Sequence, residues 1–160
     1  MDPQAKKTVL RHITYGLYAV TAAHDGERGV FTANWLSQAS FEPPLVMVSV
    51  ERDSSTLPLI RGSGRFAVCP LSADQRELAG ALGRPKARAG DKFAALDLRV
   101  VATADGVPAL ADSLGYAVCR VQAEVPAGDS VVFLAEVIEA RVLNEGEPLE
   151  MRRAGFRHAG

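Results

Sequence analysis

The chain has 160 residues, with 18 basic against 19 acidic side chains and a formal net charge of −1. One domain spanning residues 1–160 is expected, large enough to bury a core without disulfides. The balanced charge gives no basic field for nucleic acid or an anionic membrane, and no apolar run approaches the roughly 20 residues that span a bilayer.

The segment Met1 to Lys7 is basic with no continuous apolar stretch behind it, so a cytoplasmic protein is expected. Ile13 to Ala23, rich in Tyr, Val and Thr, reads as a strand and ends at Asp25-Gly26, a strong hairpin signal. The return strand covers Gly29 to about Trp35. It merges into a run rich in hydroxyls and amides, Thr32-Ala33-Asn34-Trp35 followed by Ser37-Gln38-Ala39-Ser40. After the break at Glu42-Pro43-Pro44, Leu45 to Glu51 reads as a strand that is apolar on both sides and buried over most of its surface. A second polar cluster follows, Arg52 to Thr56, and opens a short helix over Thr56 to Gly62 with Pro58 in its first turn.

Arg65 to Leu71 gives another strand. Ser72-Ala73-Asp74-Gln75 has the form of a capping box, predicting a helix through Leu82 that stops at Gly83. Arg84 to Gly90 reads as a basic surface loop. Tyr116 to Val125 and Val131 to Val142 form a long pair joined by Pro126-Ala127-Gly128-Asp129, with Ala117, Cys119, Val121 and Ala123 on one face. Arg120, Gln122 and Glu124 take the other. Strands that follow one another with so few helices exclude a doubly wound α/β fold. The expected class is mainly β, an antiparallel Greek-key barrel with a few short helices.

Obvious reactive groups are scarce. Cys69 and Cys119 lie in separate apolar runs without a C-x-x-C, and read as buried free thiols. The three histidines, His12, His24 and His158, lack ligand spacing, so no metal site is expected. The polar run from Thr32 to Ser40 reads either as a solvated loop or as the lining of a large neutral ring. Its lack of charge favours the ring. Trp35 is either a core side chain or a stacking platform. Ser54, Ser55 and Thr56 are either a helix cap or, with Arg52, a cradle for phosphate. Neither G-x-x-x-x-G-K nor G-x-G-x-x-G occurs, which removes P-loop and Rossmann readings.

The order and spacing of these segments, from about Ile13 to Val142, resemble the flavin reductase-like family of FMN-binding split barrels. Ile13-Thr14-Tyr15-Gly16-Leu17-Tyr18-Ala19-Val20-Thr21 looks like its first strand, and Gly90-Asp91-Lys92-Phe93 like its central Asp-Lys-Phe. Pro108-Ala109-Leu110 with Tyr116 to Val121, and Gly128-Asp129 before Val131 to Val137, are similar to later landmarks. The resemblance implies a split β-barrel, a homodimer, and hydride transfer from NAD(P)H to FMN, or to FAD, with a monooxygenase or another acceptor taking the electrons. It also implies that Thr32, Ala33, Asn34, Trp35, Ser37, Gln38, Ala39 and Ser40 face the ring and ribityl chain, and that Arg52, Ser54, Ser55 and Thr56 approach the phosphate. No catalytic side chain is implied, because the flavin carries the redox chemistry. A non-catalytic FMN electron carrier is the alternative, and a barrel for some other small ligand a third. Two departures bear on nicotinamide use: Ser130 stands where the family has a histidine after Gly-Asp, and the C-terminal aromatic-glycine pattern is reduced to Gly155-Phe156 among Arg152, Arg153 and Arg157. Those arginines read either as a solvated tail or as ligands for a nucleotide phosphate.

Overall fold

The computed structural model describes residues 1–86 and 90–158. In chain order the elements are α1 (Pro3–Arg11), β1 (Tyr18–His24), β2 (Glu27–Ala33), β3 (Leu36–Ser40) and β4 (Leu45–Glu51). These are followed by α2 (Leu57–Ser63), β5 (Arg65–Pro70), α3 (Arg76–Leu82) and α4 (Lys92–Ala95). The chain then runs through β6 (Val100–Val101), β7 (Ala109–Leu110), β8 (Gly115–Ala127), β9 (Ser130–Val142) and α5 (Met151–Ala154).

Seven strands form one antiparallel sheet in the order β2-β1-β5-β8-β9-β4-β3. Its two edge strands, β2 and β3, are neighbours in the chain and are joined only by Asn34 and Trp35. Two residues span at most about 7 Å beyond the strand ends, so the sheet has to curl until its edges meet. The result is a barrel closed covalently at one seam instead of by a hydrogen-bonded ladder. The mainly antiparallel β class expected from the sequence is what forms.

The curl divides the core. Inside the barrel, Val20, Val48, Val50, Phe66, Val131 and Phe133 pack together, plugged by Leu57 and Ile60 of α2. A second cluster lies outside one half of the wall, where Ala19, Ala67, Cys69 and Val118 are covered by α3, α4 and the C-terminal segment through Leu82, Phe93 and Met151. Strand β5 is therefore buried on both faces, with Phe66, Ala67 and Cys69 at 0% exposure. Strand β4 is not. Val48 and Val50 face the interior, while Met47 on its outer side is 45% exposed.

Several elements depart from expectation. The first strand begins at Tyr18, not Ile13, and is preceded by α1, which the sequence reading missed. The local signal was present: Asp2 caps the helix by accepting from the amides of Gln4 and Ala5, and proline occupies its first turn. The capping box is half formed. Gln75 Oε1 accepts from the Ser72 amide at 2.9 Å, but the Ser72 hydroxyl turns to Asp74 and the helix starts only at Arg76. The alternation along β8 holds for Ala117, Cys119 and Val121, which pack with the interior cluster. A register shift between Val121 and Ala123 then leaves Ala123 exposed. Of the basic loop, residues 87–89 lie outside the described residues, while Arg84, Lys86 and Gly90 are exposed.

Both cysteines are free and buried, on opposite faces of the sheet. Burial pushes the Cys69 thiol up to about 11 and the Cys119 thiol up to about 12, so little thiolate exists at neutral pH. In the native protein both thiols should react with Ellman's reagent at pH 8 more than a hundredfold slower than in 6 M urea, as a time course at 412 nm would show. Fast release of one equivalent without denaturant would contradict this packing.

Candidate functional site

The residues singled out in the sequence gather at the seam and at the start of α2. Thr32, near the end of β2, donates its hydroxyl to the Ala79 carbonyl at 2.5 Å and ties the strand to α3. Ala33 is a core residue at 3% exposure. Asn34 is buried too, and its Nδ2 donates to the His158 carbonyl at 3.0 Å and to Met151 Sδ at 3.2 Å. The amide is thus committed to the C-terminal segment.

Trp35 stands on the outer side of the seam, 37% exposed. Its carbonyl accepts from the Ser49 amide at 2.9 Å. Its indole lies 5.3 Å, centroid to centroid, from the His158 imidazole at a tilt of 41°. That imidazole also comes within 3.4 Å of Glu51 Oε1 at the end of β4. Three parts of the chain therefore meet here: the seam, the end of β4 and the C-terminal segment. The core reading of Trp35 is not what forms, since the indole is partly exposed.

The run from Ser37 to Ser40 is edge strand β3 and not a loop. Ser37, Gln38 and Ala39 are exposed and Ser40 is half-buried. Their side-chain bonds stay local, Ser37 Oγ donating to the Gln38 carbonyl at 3.0 Å and Gln38 Nε2 to the Ser40 carbonyl at 3.2 Å. An uncharged edge with free backbone groups is a surface that another molecule can line.

The second cluster splits in two. Arg52 latches the β8–β9 turn to the end of β4, its Nε donating to the Gly128 carbonyl at 2.8 Å and its amide to the Asp129 carbonyl at 3.0 Å. Beside it Ser130 is buried, pairs in register with Glu51 and donates its hydroxyl to Asp129 Oδ1 at 3.0 Å. Ser54 Oγ accepts from the Thr56 amide at 3.3 Å and starts the turn into α2. Thr56 itself is 1% exposed. It is packed so closely on Gly29 that a Cβ there would come within 2.7 Å of the threonine hydroxyl. Its side chain therefore does not reach the surface; of this cluster's hydroxyl residues Ser55 is exposed and Ser54 half-buried.

Ser55 opens onto a polar cavity of about 240 Å³ that the sequence gave no reason to expect. Arg28, Lys86 and Lys92 line it with Gly29 and Asp91. Arg28 is held 3.4 Å from Asp91 and 4.5 Å from the centre of the Phe93 ring. Lys92 is buried, donating Nζ to the Val30 carbonyl at 3.1 Å and to the Leu82 carbonyl at 2.5 Å. Burial pulls its ammonium below the usual lysine range. The Asp-Lys-Phe run thus has a structural task in each residue, with Asp91 capping α4, Lys92 tying β2 to the end of α3, and Phe93 filling the outer core.

His158 and the cations around Ser55 are what sequence reasoning missed. His158 meets a partner 124 residues away, and no local pattern encodes so distant a contact. The C-terminal stretch also proves more than a solvated tail. Its arginines are exposed, but Leu149, Met151 and Ala154 are buried in the outer core. Among the described residues no group of three or more His, Cys, Asp or Glu is placed to hold a metal, and no helix is long and apolar enough to cross a membrane.

Comparison with known proteins gives this geometry a context. Residues 10–160 match the model of the flavin reductase like domain. The reductase component of 4-nitrophenol 4-monooxygenase/4-nitrocatechol 2-monooxygenase from Rhodococcus opacus is 35% identical over 99% of this chain and 82% of its own length. A flavin reductase from Pseudomonas putida is 30% identical over 98% of this chain and 89% of its own. Among solved structures, the NADH:FAD oxidoreductase SgcE6 of Streptomyces globisporus superposes with a TM-score of 0.80 at 26% identity, covering 94% of this chain and 90% of that one.

Asn34 joins the seam to the C-terminal segment through two bonds of its amide. The Asn34→Ala variant should lose about 1–2 kcal/mol in urea unfolding, the cost of leaving a buried acceptor unpaired. Hydrogen exchange should speed up at Met151 to His158 while β5 stays protected. Unchanged exchange in that segment would show that something else holds it down.

Proposed function

The chain belongs to the flavin reductase-like family, and on that footing we propose that it is an NAD(P)H-dependent flavin reductase holding FMN along the barrel seam. It is an oxidoreductase, as its full-length relatives are. The observation that carries the finer reading is the contrast in charge between two parts of the surface. An uncharged run with one half-exposed indole, Trp35 to Ser40, forms the seam and edge strand β3, and a separate cavity at the start of α2 sets Ser55 beside Arg28, Lys86 and Lys92, with Glu27 and Asp91 as ion-pair partners. These residues suit an apolar ring and a phosphate joined by a polar chain.

In this reading Trp35 and the backbone of β3 flank the ring. Ser54 and Ser55 meet the phosphate, with Arg28 and Lys86 neutralising it. Arg52 keeps the Gly128–Asp129 turn against β4, so the floor of the site stays fixed. A flavin held here would supply the redox chemistry, as an acceptor for the hydride of a dihydronicotinamide. The protein's part is to bind, orient and keep water from the ring, which accounts for a site without a matched acid and base. The Rhodococcus relative is a monooxygenase reductase component, which supports an oxygenase as the consumer of the reduced flavin. A cytoplasmic protein fits two unpaired thiols.

The phosphate assignment gives a selective test. The Ser55→Ala, Lys86→Gln double variant should bind FMN at least tenfold more weakly, since charge-assisted hydrogen bonds contribute about 1.5–3 kcal/mol each. Riboflavin, which lacks the phosphate, should change by less than twofold in the same fluorescence titration. Equal losses for both would put the phosphate elsewhere. Anaerobic addition of NADH or NADPH to the FMN-loaded wild type should bleach absorption near 450 nm. Stoichiometric FMN that neither nucleotide reduces would favour the electron carrier instead.

The homodimer has its own support. The outer face of β4 and β9 carries Met47, Val132 and Leu134, and Met47 is 45% exposed. Among the described residues no helix packs on it in the way that α3 and α4 pack on β1 and β2. A second copy is the proposed cover. Sedimentation at micromolar concentration should give a dimer, and Met47→Lys should shift it toward monomer. A wild-type monomer that binds FMN tightly would remove the dimer from the proposal.

A further inference from the structure

Helix α1 buries no residue of its own, yet it brings Arg11 and His12 to a second cavity, of about 750 Å³. The opposite wall comes from the C-terminal segment, with Arg152, Phe156 and Arg157, and Tyr15 lies between them. The volume is within the roughly 300–1,000 Å³ typical of small-molecule sites. Among the lining residues the only acid is Glu150, against three arginines, in a chain whose net charge is −1. Arg153, next in sequence, pairs with Glu147 at 3.1 Å. Among the described residues no ion pair or side-chain hydrogen bond holds Arg152 or Arg157. Two uncommitted guanidinium groups on one wall of a cavity are a site for phosphate, which they can grip in bidentate fashion.

The cavity also has an aromatic side. Tyr15 and Phe156 are half-buried, and the Phe156 ring is fixed by the Arg76 guanidinium 5.2 Å from its centre. Arg76 also donates Nε to the Ala154 carbonyl at 2.6 Å, which keeps this wall in place. Met151 lines the cavity and, on its other side, accepts through Sδ from Asn34 at the seam. Met151 thus links the cavity wall to Asn34, the residue before Trp35 at the seam.

We propose that the cavity between α1 and the C-terminal segment binds the adenosine diphosphate part of a dinucleotide, with Arg152 and Arg157 on the phosphates and Tyr15 and Phe156 against the purine. The inference rests on the flavin reductase reading, since a dinucleotide so placed extends past Met151 toward Trp35. An adenosine diphosphate group arrives on two molecules, the nicotinamide dinucleotide and FAD. Both have the chemistry this wall recognises.

Calorimetric titration of the full chain with ADP tests the site without any turnover. Wild type should bind ADP, with an affinity that falls as KCl rises. The Arg152→Gln, Arg157→Gln double variant should bind it at least tenfold more weakly, while Arg153→Gln, which removes a charge outside the cavity, should match wild type. Thermal melting checks that all three are folded. In steady-state assays the double variant should raise the KM for NADH or NADPH about tenfold. The KM for reduced nicotinamide mononucleotide, which has no adenosine, should move by less than twofold. Weakened FAD with unchanged KM for the dinucleotide would assign the site to FAD, and the converse to the nicotinamide donor. No ADP binding at millimolar concentration, or equal ADP affinity in wild type and double variant, overturns the proposal. ADP binding lost in the double variant, in a protein that oxidises no nicotinamide with any flavin, would keep the site and reject the reductase reading.

Discussion

The two-residue link Asn34–Trp35 is the constraint on which the rest depends. It joins the two edge strands of a seven-stranded sheet, and so short a link leaves the sheet no open form. Twist alone curves a sheet gradually; here the covalent tie decides where the curve ends. The interior then has a fixed size, filled by Val20, Val48, Val50, Phe66 and Phe133, with α2 as its plug. It also leaves a place where the ladder is interrupted. At that interruption the Asn34 side chain bonds the C-terminal segment and the Trp35 carbonyl accepts from the Ser49 amide of β4, and the residues of the proposed site lie beside it.

Closure makes the two halves of the wall unequal. Strands β1, β5 and β8 are sandwiched between the interior and a second layer of helices and loops, so Ala67 and Cys69 are as buried as Phe66 and Val68. The other half, β9, β4 and β3, is covered on one side only. Its outer surface mixes Met47, Val132 and Leu134 with Ser37, Ser49 and Glu51. Such a surface is apolar enough to reward cover and polar enough to tolerate water. The β3 side of the seam and the proposed dimer face both belong to this half, so the proposed site and the proposed interface are neighbours.

Strand-forming runs were the legible part of the sequence. The hairpin at Asp25-Gly26 forms where the turn chemistry puts it, with both residues at positive φ. Strand β5 and the β8–β9 pair stand within a few residues of their expected limits, because continuous apolar runs bounded by turn residues leave few alternatives. Three features were not legible. Helix α1 was passed over because hydrophobic periodicity was the guide and its apolar side faces no core; the cap at Asp2-Pro3 was the better signal. Strand β3 was hidden because an edge strand needs no apolar alternation, so Ser37 to Ser40 looked like a turn. The arginines of the C-terminal segment are exposed, as one of their two readings had it, but the packing of Leu149, Met151 and Ala154 between and before them went unread. The polar clusters were found, but which of their side chains point outward was a tertiary matter: Thr56 is enclosed by Gly29, a residue of β2.

The charges around the seam bear on how a ring with a phosphate tail would lie there. Beside Trp35 stands His158, with the Glu51 carboxylate on its other side, and Arg52 is occupied with the Gly128 carbonyl. A neutral ring set against the indole strips water from few charged groups, so its desolvation cost is small. The opposite orientation would bring a phosphate dianion toward the Glu51 carboxylate. Two like charges about 4 Å apart repel by roughly 1 kcal/mol even in bulk water, and by about 4 kcal/mol near a protein surface. At the other end the balance reverses. Arg28, Lys86 and Lys92 outnumber Glu27 and Asp91 around the Ser55 cavity, so an anion is favoured and an apolar ring gains little. In the proposed site the two regions therefore suit different parts of a flavin nucleotide, and its orientation would follow from charge before any single hydrogen bond is counted. That division of labour needs no acid, base or nucleophile at the seam, only a fixed floor and an uncharged wall.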